Sequence, residues 1–507
     1  MNRFKSLSFL PALLLAAFSA SSCSGQKGGN ICPGGACGGT GTVTLTMVAD
    51  TLPAHPSLLT FRVTITGISL ITSGGTQQAL SLNGSPVVDL MRLQSDTLFL
   101  GTFANVPSGQ YTGAIISFSN PIITFFNDTA STLQTCPANT GCPQVAIVAA
   151  GTSQANLAFA VSSSSVTGLG IALNLSNLLS ISGASLNVNF ANANVLSAFA
   201  LPRAGSNLSS GQLDLIEDFT GVVSIGSSGV TITSAAATSR GSLAASASAN
   251  TVFNTDPTGN LCKNPTQGNV SSCVSTNQAA SMDVILKSDG TLAIQEIEPL
   301  LATLQDTVEG IVVALNAGNV TQFTMVVTDI LPAAAGSKIG PLQIGDAFIV
   351  NLAAAPSFLV DTKGLSVFPS NLNNFAGQTT TTAMHLGQAV AVHVTAFTPA
   401  APSVNATASA DTVTLRWSRF TATPQSAATP AFSITILPAY FGFTSGSIFS
   451  VQTTPGTPGT SGVTSFDGVP DANGLNTGKP VALRSLFLEN TSNSATPAFF
   501  AAKIRQH

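Results

Sequence analysis

Period-two alternation of apolar and small polar residues constrains this chain more than any other feature. Val43, Leu45 and Met47 are separated by Thr44 and Thr46, and Phe61, Val63 and Ile65 by Arg62 and Thr64. In an extended chain such runs put one face in a core and the other in water. Thr and Val also favour strands, because branching at Cβ suits a pleated surface. Turn signals punctuate the runs at Ser73-Gly74-Gly75, Asn83-Gly84-Ser85 and Pro107-Ser108-Gly109. No long stretch carries helix formers at helical spacing. Only Ile297 to Val308 suits a short helix, interrupted by Pro299. The expected class is all-β, and 507 residues allow about three or four domains.

The polar partners in this alternation are rarely charged. The chain has 17 Lys and Arg and 21 Asp and Glu, a charged fraction of 7%, where about 25% is ordinary. The hydrophobic fraction is 44%, so Ser, Thr, Asn, Gln and Gly replace the missing charge. A net charge of −4 with so few basic residues gives no electrostatic footprint for nucleic acid. Abundant apolar residues argue against charged disorder. The expected exterior is weakly charged and suited to hydrogen bonding with neutral polar polymers or other surface proteins.

Residues 1–22 have the order of a secretory signal: Arg3 and Lys5, an apolar run from Leu7 to Phe18, then Ser19, Ala20, Ser21 and Ser22 before Cys23. The apolar run is shorter than the roughly 20 residues needed to span a bilayer. A Cys directly after Ala-Ser-Ser resembles a bacterial lipobox, with Ala20 where Leu is usual. That resemblance implies lipidation of Cys23 and, with Ser24 following, residence at the outer membrane or cell surface, anchored by lipid. Residues 23–41, with CPGGAC followed by GGTG, read as a Gly-rich tether.

The other six cysteines form three pairs close in sequence: Cys32 and Cys37, Cys136 and Cys142, Cys262 and Cys273. Six cysteines allow 15 connectivities, and closeness favours the local one. A loop of this size stabilises by about 2–3 kcal/mol. There is no C-x-x-C, and His55, His385, His393 and His507 do not cluster near any pair. Disulfides are therefore expected, and neither a metal nor a cofactor.

Between about 42 and 203 three elements occur in order: Val63 to Leu70, the V-D-L-x-x-L element Val88 to Leu93, and the V-P-x-G-x-Y element Val106 to Tyr111. In the last, Pro107 and Gly109 set a hairpin turn and Tyr111 opens the next strand with its ring packed and its hydroxyl at the edge. The order resembles a domain of unknown function in bacterial and archaeal lipoproteins, and implies a prealbumin-like β-sandwich. Further on, Asp218-Phe219-Thr220-Gly221-Val222-Val223 is echoed by Asp306 to Val313. Gly345, Gly387 and Gly478 each lead an alternating strand, and Ala-containing strands end at Ile297 and Ile504. This resembles an uncharacterised bacterial envelope family of small OB-like barrel repeats, and implies two or three such modules, at about 213–304, 305–400 and 401–507.

Candidate chemistry is sparse. There is no G-x-S-x-G; GFTSG at 442–446 places Ser one position late. His385 and His393 lie far apart along one strand and read as satisfied strand or turn residues. Asp283, Asp289, Glu296, Glu298 and Asp306 form the densest carboxylate region and read as turn and edge residues, with Ser288-Asp289-Gly290 a hairpin signal. Asp467, Asp471, Asn473 and Gly474 read as an Asx/Gly turn. Trp417 alternates with Arg419 on one face while Arg416 points to the other, making Trp417, Arg416 and Arg419 the candidate binding patch. No catalytic residue is expected. The reading is a lipid-anchored envelope protein with a non-catalytic binding or structural role, adhering to polysaccharide or protein; the alternative is a surface hydrolase whose active site is assembled between domains.

Overall fold

A computed structural model describes residues 38–507 except 83, 227–228, 235–239, 255–268, 302–304, 334, 402–404, 445, 458–459, 461, 489–496 and 507. Cys23, Cys32, Cys37, Cys262, Ser445 and His507 thus lie outside the described residues. The chain is all-β: a sandwich followed by three small barrel modules.

In the sandwich, one sheet runs Leu196–Ala200, Val166–Asn174, Thr40–Asp50, Leu98–Pro107. The other is built on Ser57–Thr72 and Gly109–Asn127, with Ala150–Val161 along the latter. The alternating Val43, Leu45, Met47, Phe61, Val63 and Ile65 fill the space between the sheets. Thr44 and Thr46, expected in water, are buried as well, because the second module covers that face: Thr46 donates to Asp214 at 2.8 Å.

The Pro107-Ser108-Gly109 turn is not a hairpin. Leu98–Pro107 pairs in one sheet and Gly109–Asn127 in the other, so the turn crosses the sandwich. Tyr111 locks the corner from inside: its ring is buried and its hydroxyl donates to the Pro107 carbonyl at 2.7 Å. The local pair Cys136–Cys142 is a disulfide. Cys273 is also disulfide-bonded.

Numbering the five main strands of each later module in chain order, all three share one order: 1-2-3-5-4 and back to 1. The first closed barrel contains Thr307–Leu315, Gln322–Leu331, Ala347–Val360, Ala389–Thr398 and Ala406–Leu415, with the third and fifth parallel. The second contains Ser418–Pro424, Ala431–Thr435, Phe449–Thr453, Val481–Phe487 and Pro497–Arg505, closed by the same parallel pairing of third and fifth. The module from Gln212 to Leu301 repeats the order as a sheet whose ends meet at one parallel bridge, Ser246 to Ala293. These are OB-like Greek-key barrels.

The repeated Thr-Gly-Val and Glu-Gly-Ile segments lie in the first strand of their modules, where the second strand crosses closely. A Cβ on Gly221 would sit 2.1 Å from the Thr233 carbonyl oxygen, and one on Gly310 2.3 Å from that of Val326. Only glycine permits that approach. Gly387 and Gly478 lead fourth strands, whereas Gly345 leads a third. Two further expectations change. The segment from Ile297 is no helix: Leu292–Leu301 is a strand, and Pro299 sits beyond the two residues, Glu296 and Ile297, that pair with Val252–Phe253, where a missing N–H costs little. The joint between the closed barrels falls at Arg416–Trp417 and not near 400, since Ala406–Leu415 completes the first of them.

Candidate functional site: a buried ionic joint and the cleft beside it

Among the described charged residues only Asp289, Lys338 and Lys479 are exposed. Most of the rest meet where the four modules touch. At the centre is Asp218. It sits in a β-bulge, with φ of 55° and a register shift between Ile216 and Phe219. Bulges re-aim side chains, and here adjacent Glu217 and Asp218 both turn into the joint.

Asp218 Oδ1 accepts from Lys363 at 2.8 Å, Ser281 at 2.8 Å and Arg416 at 3.4 Å. Its Oδ2 accepts from Arg419 at 2.6 Å and Arg92 at 3.2 Å. The cations are shared outward: Arg419 with Asp96 at 2.8 Å, Arg416 with Glu309 at 3.5 Å and closely with Asp361, Arg92 with Asp329 at 3.3 Å. Glu217 pairs with Arg484 at 3.0 Å and with Lys503. Every module contributes: Arg92 and Asp96 come from the sandwich, Glu217 and Asp218 from the second module, Lys363 and Arg416 from the first closed barrel, Arg484 and Lys503 from the second. Burial alone would raise the Asp218 pKa, but Lys363, Arg416, Arg419 and Arg92 hold it well below the usual carboxylate range. Asp96 is likewise held down, against its burial, by Arg419, Arg92 and Arg484. Such an array is costly to desolvate and costlier to break, so it fixes the modules in one arrangement.

This relocates the candidate patch. Trp417 is 1% exposed, packed in the first closed barrel's core. Arg416 and Arg419 both reach Asp218 and Glu309. The expected alternation fails because the strand breaks at 416–417 between two barrels, so these residues do not form a surface patch. The carboxylate cluster also differs from expectation. Asp283 and Glu298 face Lys363, and Glu296 is buried. Asp306 anchors a loop, accepting from Lys338 N at 2.7 Å and Ala333 N at 2.8 Å. Only Asp289 is the turn residue expected, bonding Thr291 N at 2.9 Å before Gly290 at φ 80°. Asp471 is an Asx turn onto Asn473 N at 2.8 Å, while Asp467 pairs with Arg505 at 2.7 Å. His385 packs on Phe487, and burial pushes its pKa down to about 4. His393 bonds Asp411 at 2.8 Å.

Sequence reasoning missed a cleft of about 560 Å³ between the sandwich and the last barrel, a size typical of ligand sites. One wall is the segment Asp50 to Leu58; the other includes Phe420, Ile436, Pro438, Tyr440, Phe443 and Phe449. A cluster of ring contacts stiffens that wall, Tyr440–Phe441 at 5.2 Å and Phe443–Phe449 at 4.5 Å among them. At its rim Ile436 is 71% exposed and has φ of 55°, a conformation disfavoured for a β-branched residue and characteristic of functional sites.

The cleft contains a Ser, a His and an Asp, but they are not wired as a nucleophile and base. Ser57 Oγ donates to Asp128 at 2.7 Å and accepts from Ala439 N at 3.0 Å. His55 Nδ1 lies 3.1 Å from the other Asp128 oxygen. The serine proton therefore points at the carboxylate and not at the imidazole, the reverse of the order that activates a hydroxyl. Ser57 ties the sandwich to the barrel. No family model matches the chain, and neither the curated proteins nor the solved structures yield a match.

Proposed function

We propose that this chain is a lipid-anchored protein of the bacterial envelope, held at the outer membrane or cell surface through Cys23, with a non-catalytic binding or structural role towards polysaccharide or envelope proteins. The observation that carries this reading is where the charge lies. Most of the described carboxylates and cations are spent on each other inside the joint, and the described exterior left behind carries few charges. Such a surface binds by hydrogen bonds and edges, with little long-range steering. The fold also suits a tether. Thr40–Asp50 leads from near the start of the described chain to the cleft.

Labelled palmitate should enter the wild-type chain and not Cys23→Ala; an unlabelled wild type removes the anchor. Purified protein should be retained on cell-wall or exopolysaccharide fractions, or on isolated envelope proteins. No retention on any of them overturns the binding role.

A further inference from the structure

We propose that the cleft between the sandwich and the last barrel is a binding site for a small organic ammonium ion with an apolar or aromatic body. The inference rests on the binding role above and names the ligand class of one site. It does not depend on the anchor.

The shape comes first. About 560 Å³ of space holds a small molecule and is too large to be a packing defect. The barrel wall presents the half-buried Phe443, backed by Tyr440, Phe441 and Phe449, which are themselves buried in an interlocked ring cluster, rigid before anything binds. Ile436, strained and exposed at the rim, adds an apolar edge.

The charge decides the ligand's sign. Asp50 and Asp128 line the cleft, and the one Lys or Arg among the described lining residues is Arg505. Its guanidinium is already occupied. Nε donates to Asp467 at 2.7 Å, Nη1 to the Leu93, Gln94 and Asp96 carbonyls at 2.9–3.1 Å, and Nη2 to Thr97 at 3.0 Å. An anion would find no free guanidinium or ammonium there, and the one imidazole, His55, faces Asp128 at 3.1 Å. An ammonium would find the Asp50 and Asp128 carboxylates and, on the barrel wall, the apolar body of Phe443, a combination suited to an organic cation. Asp50 forms no ion pair among the described residues; burial raises its pKa, with Arg203 and Arg505 opposing. A ligand cation would add to the attraction of Arg203 and Arg505 and to the Thr51 hydrogen bond that already favour its charged form.

The test uses the purified full-length chain and three matched probes: 2-phenylethylammonium, 2-phenylethanol and 3-phenylpropionate. Titration calorimetry should show the ammonium binding at least tenfold tighter than the alcohol, with the carboxylate weakest. Asp50→Asn should bring the ammonium and the alcohol within about threefold of each other. Ile436→Ser should weaken both alike and leave their ratio unchanged, which places the site at this rim. Equal or tighter binding of the alcohol or the carboxylate, or an unchanged ratio in a folded Asp50→Asn, overturns the proposal. Loss of membrane localisation or of polysaccharide retention would leave these titrations unaffected, so the two readings fail separately.

Discussion

Replacing Asp218 with Asn tests the ionic joint directly. The change keeps the size of the side chain, removes the central negative charge, and turns one acceptor facing Arg419 at 2.6 Å or Lys363 at 2.8 Å into a donor. Breaking a buried ion pair by removing one partner costs about 3–5 kcal/mol. The figure is not multiplied by four, because Arg92, Arg416, Arg419 and Lys363 keep Asp329, Glu309, Asp96 and Glu298. That is still a large part of a typical net stability of about 5–15 kcal/mol. The thermal consequence depends on cooperativity. At about 2.1 cal/mol/K of unfolding entropy per residue, a module of roughly 100 residues melting alone would lose about 15–25 °C. A chain unfolding as one unit would lose only ~4 °C. Because Asp218 is the shared partner of cations from three other modules, the wild type should melt in one calorimetric transition, and Asp218→Asn should melt earlier and split. The carboxyl is held well below its usual range, so its contribution is complete above about pH 4 and is lost only as pH falls through the lowered folded value. The difference should therefore persist at pH 5. Asp289→Asn, in an exposed turn, is the control. A single transition within about 1 °C of wild type would refute the reasoning.

Glu298 is buried with neither oxygen hydrogen-bonded, 3.8 Å from Lys363, and burial raises its pKa. Because Lys363 keeps Asp218 and a raised pKa marks a charge the fold disfavours, Glu298→Gln should be at least as stable as wild type at pH 7 in urea denaturation, and any gain should fade as pH falls through the raised folded pKa. Burial pushes His385 down to about 4, so the fold disfavours its charged form. Stability should decline as pH drops from about 6.5 towards 4, by at most ~3 kcal/mol, and His385→Leu should flatten that part of the stability profile. Opening Cys136–Cys142, with sequence separation 6, should cost about 2 kcal/mol on the chain-entropy account; the double Ser variant read by denaturant midpoint checks it.

What could be read along the chain was what depends on neighbours. The alternation of Val43 to Met47 and Phe61 to Ile65 reports strand and core because side-chain period is a local property. The Asp289-Gly290 turn and the Asx turn at Asp471 were legible for the same reason, each side chain bonding within three residues. Pro107-Ser108-Gly109 read as a turn, but whether a turn joins paired strands or crosses between sheets depends on partners elsewhere. One local sign of the joint was present. Glu217 and Asp218 sit side by side between Ile216 and Phe219 in their strand, which breaks alternation and marks a bulge.

The sequence by itself determined that the chain is built of strands, that it carries very little charge, and that its repeats open with Gly221 and Gly310. Only the tertiary structure decided where the charge goes. Arg419 meets Asp218 across 201 positions and Asp96 across 323, and Lys503 meets Glu217 across 286. No window of sequence contains such pairs, because the energy that makes them worthwhile exists only once the modules have closed and excluded water. The same closure made the cleft, whose two walls lie some 380 residues apart, as in the Ala439–Ser57 bond with its separation of 382.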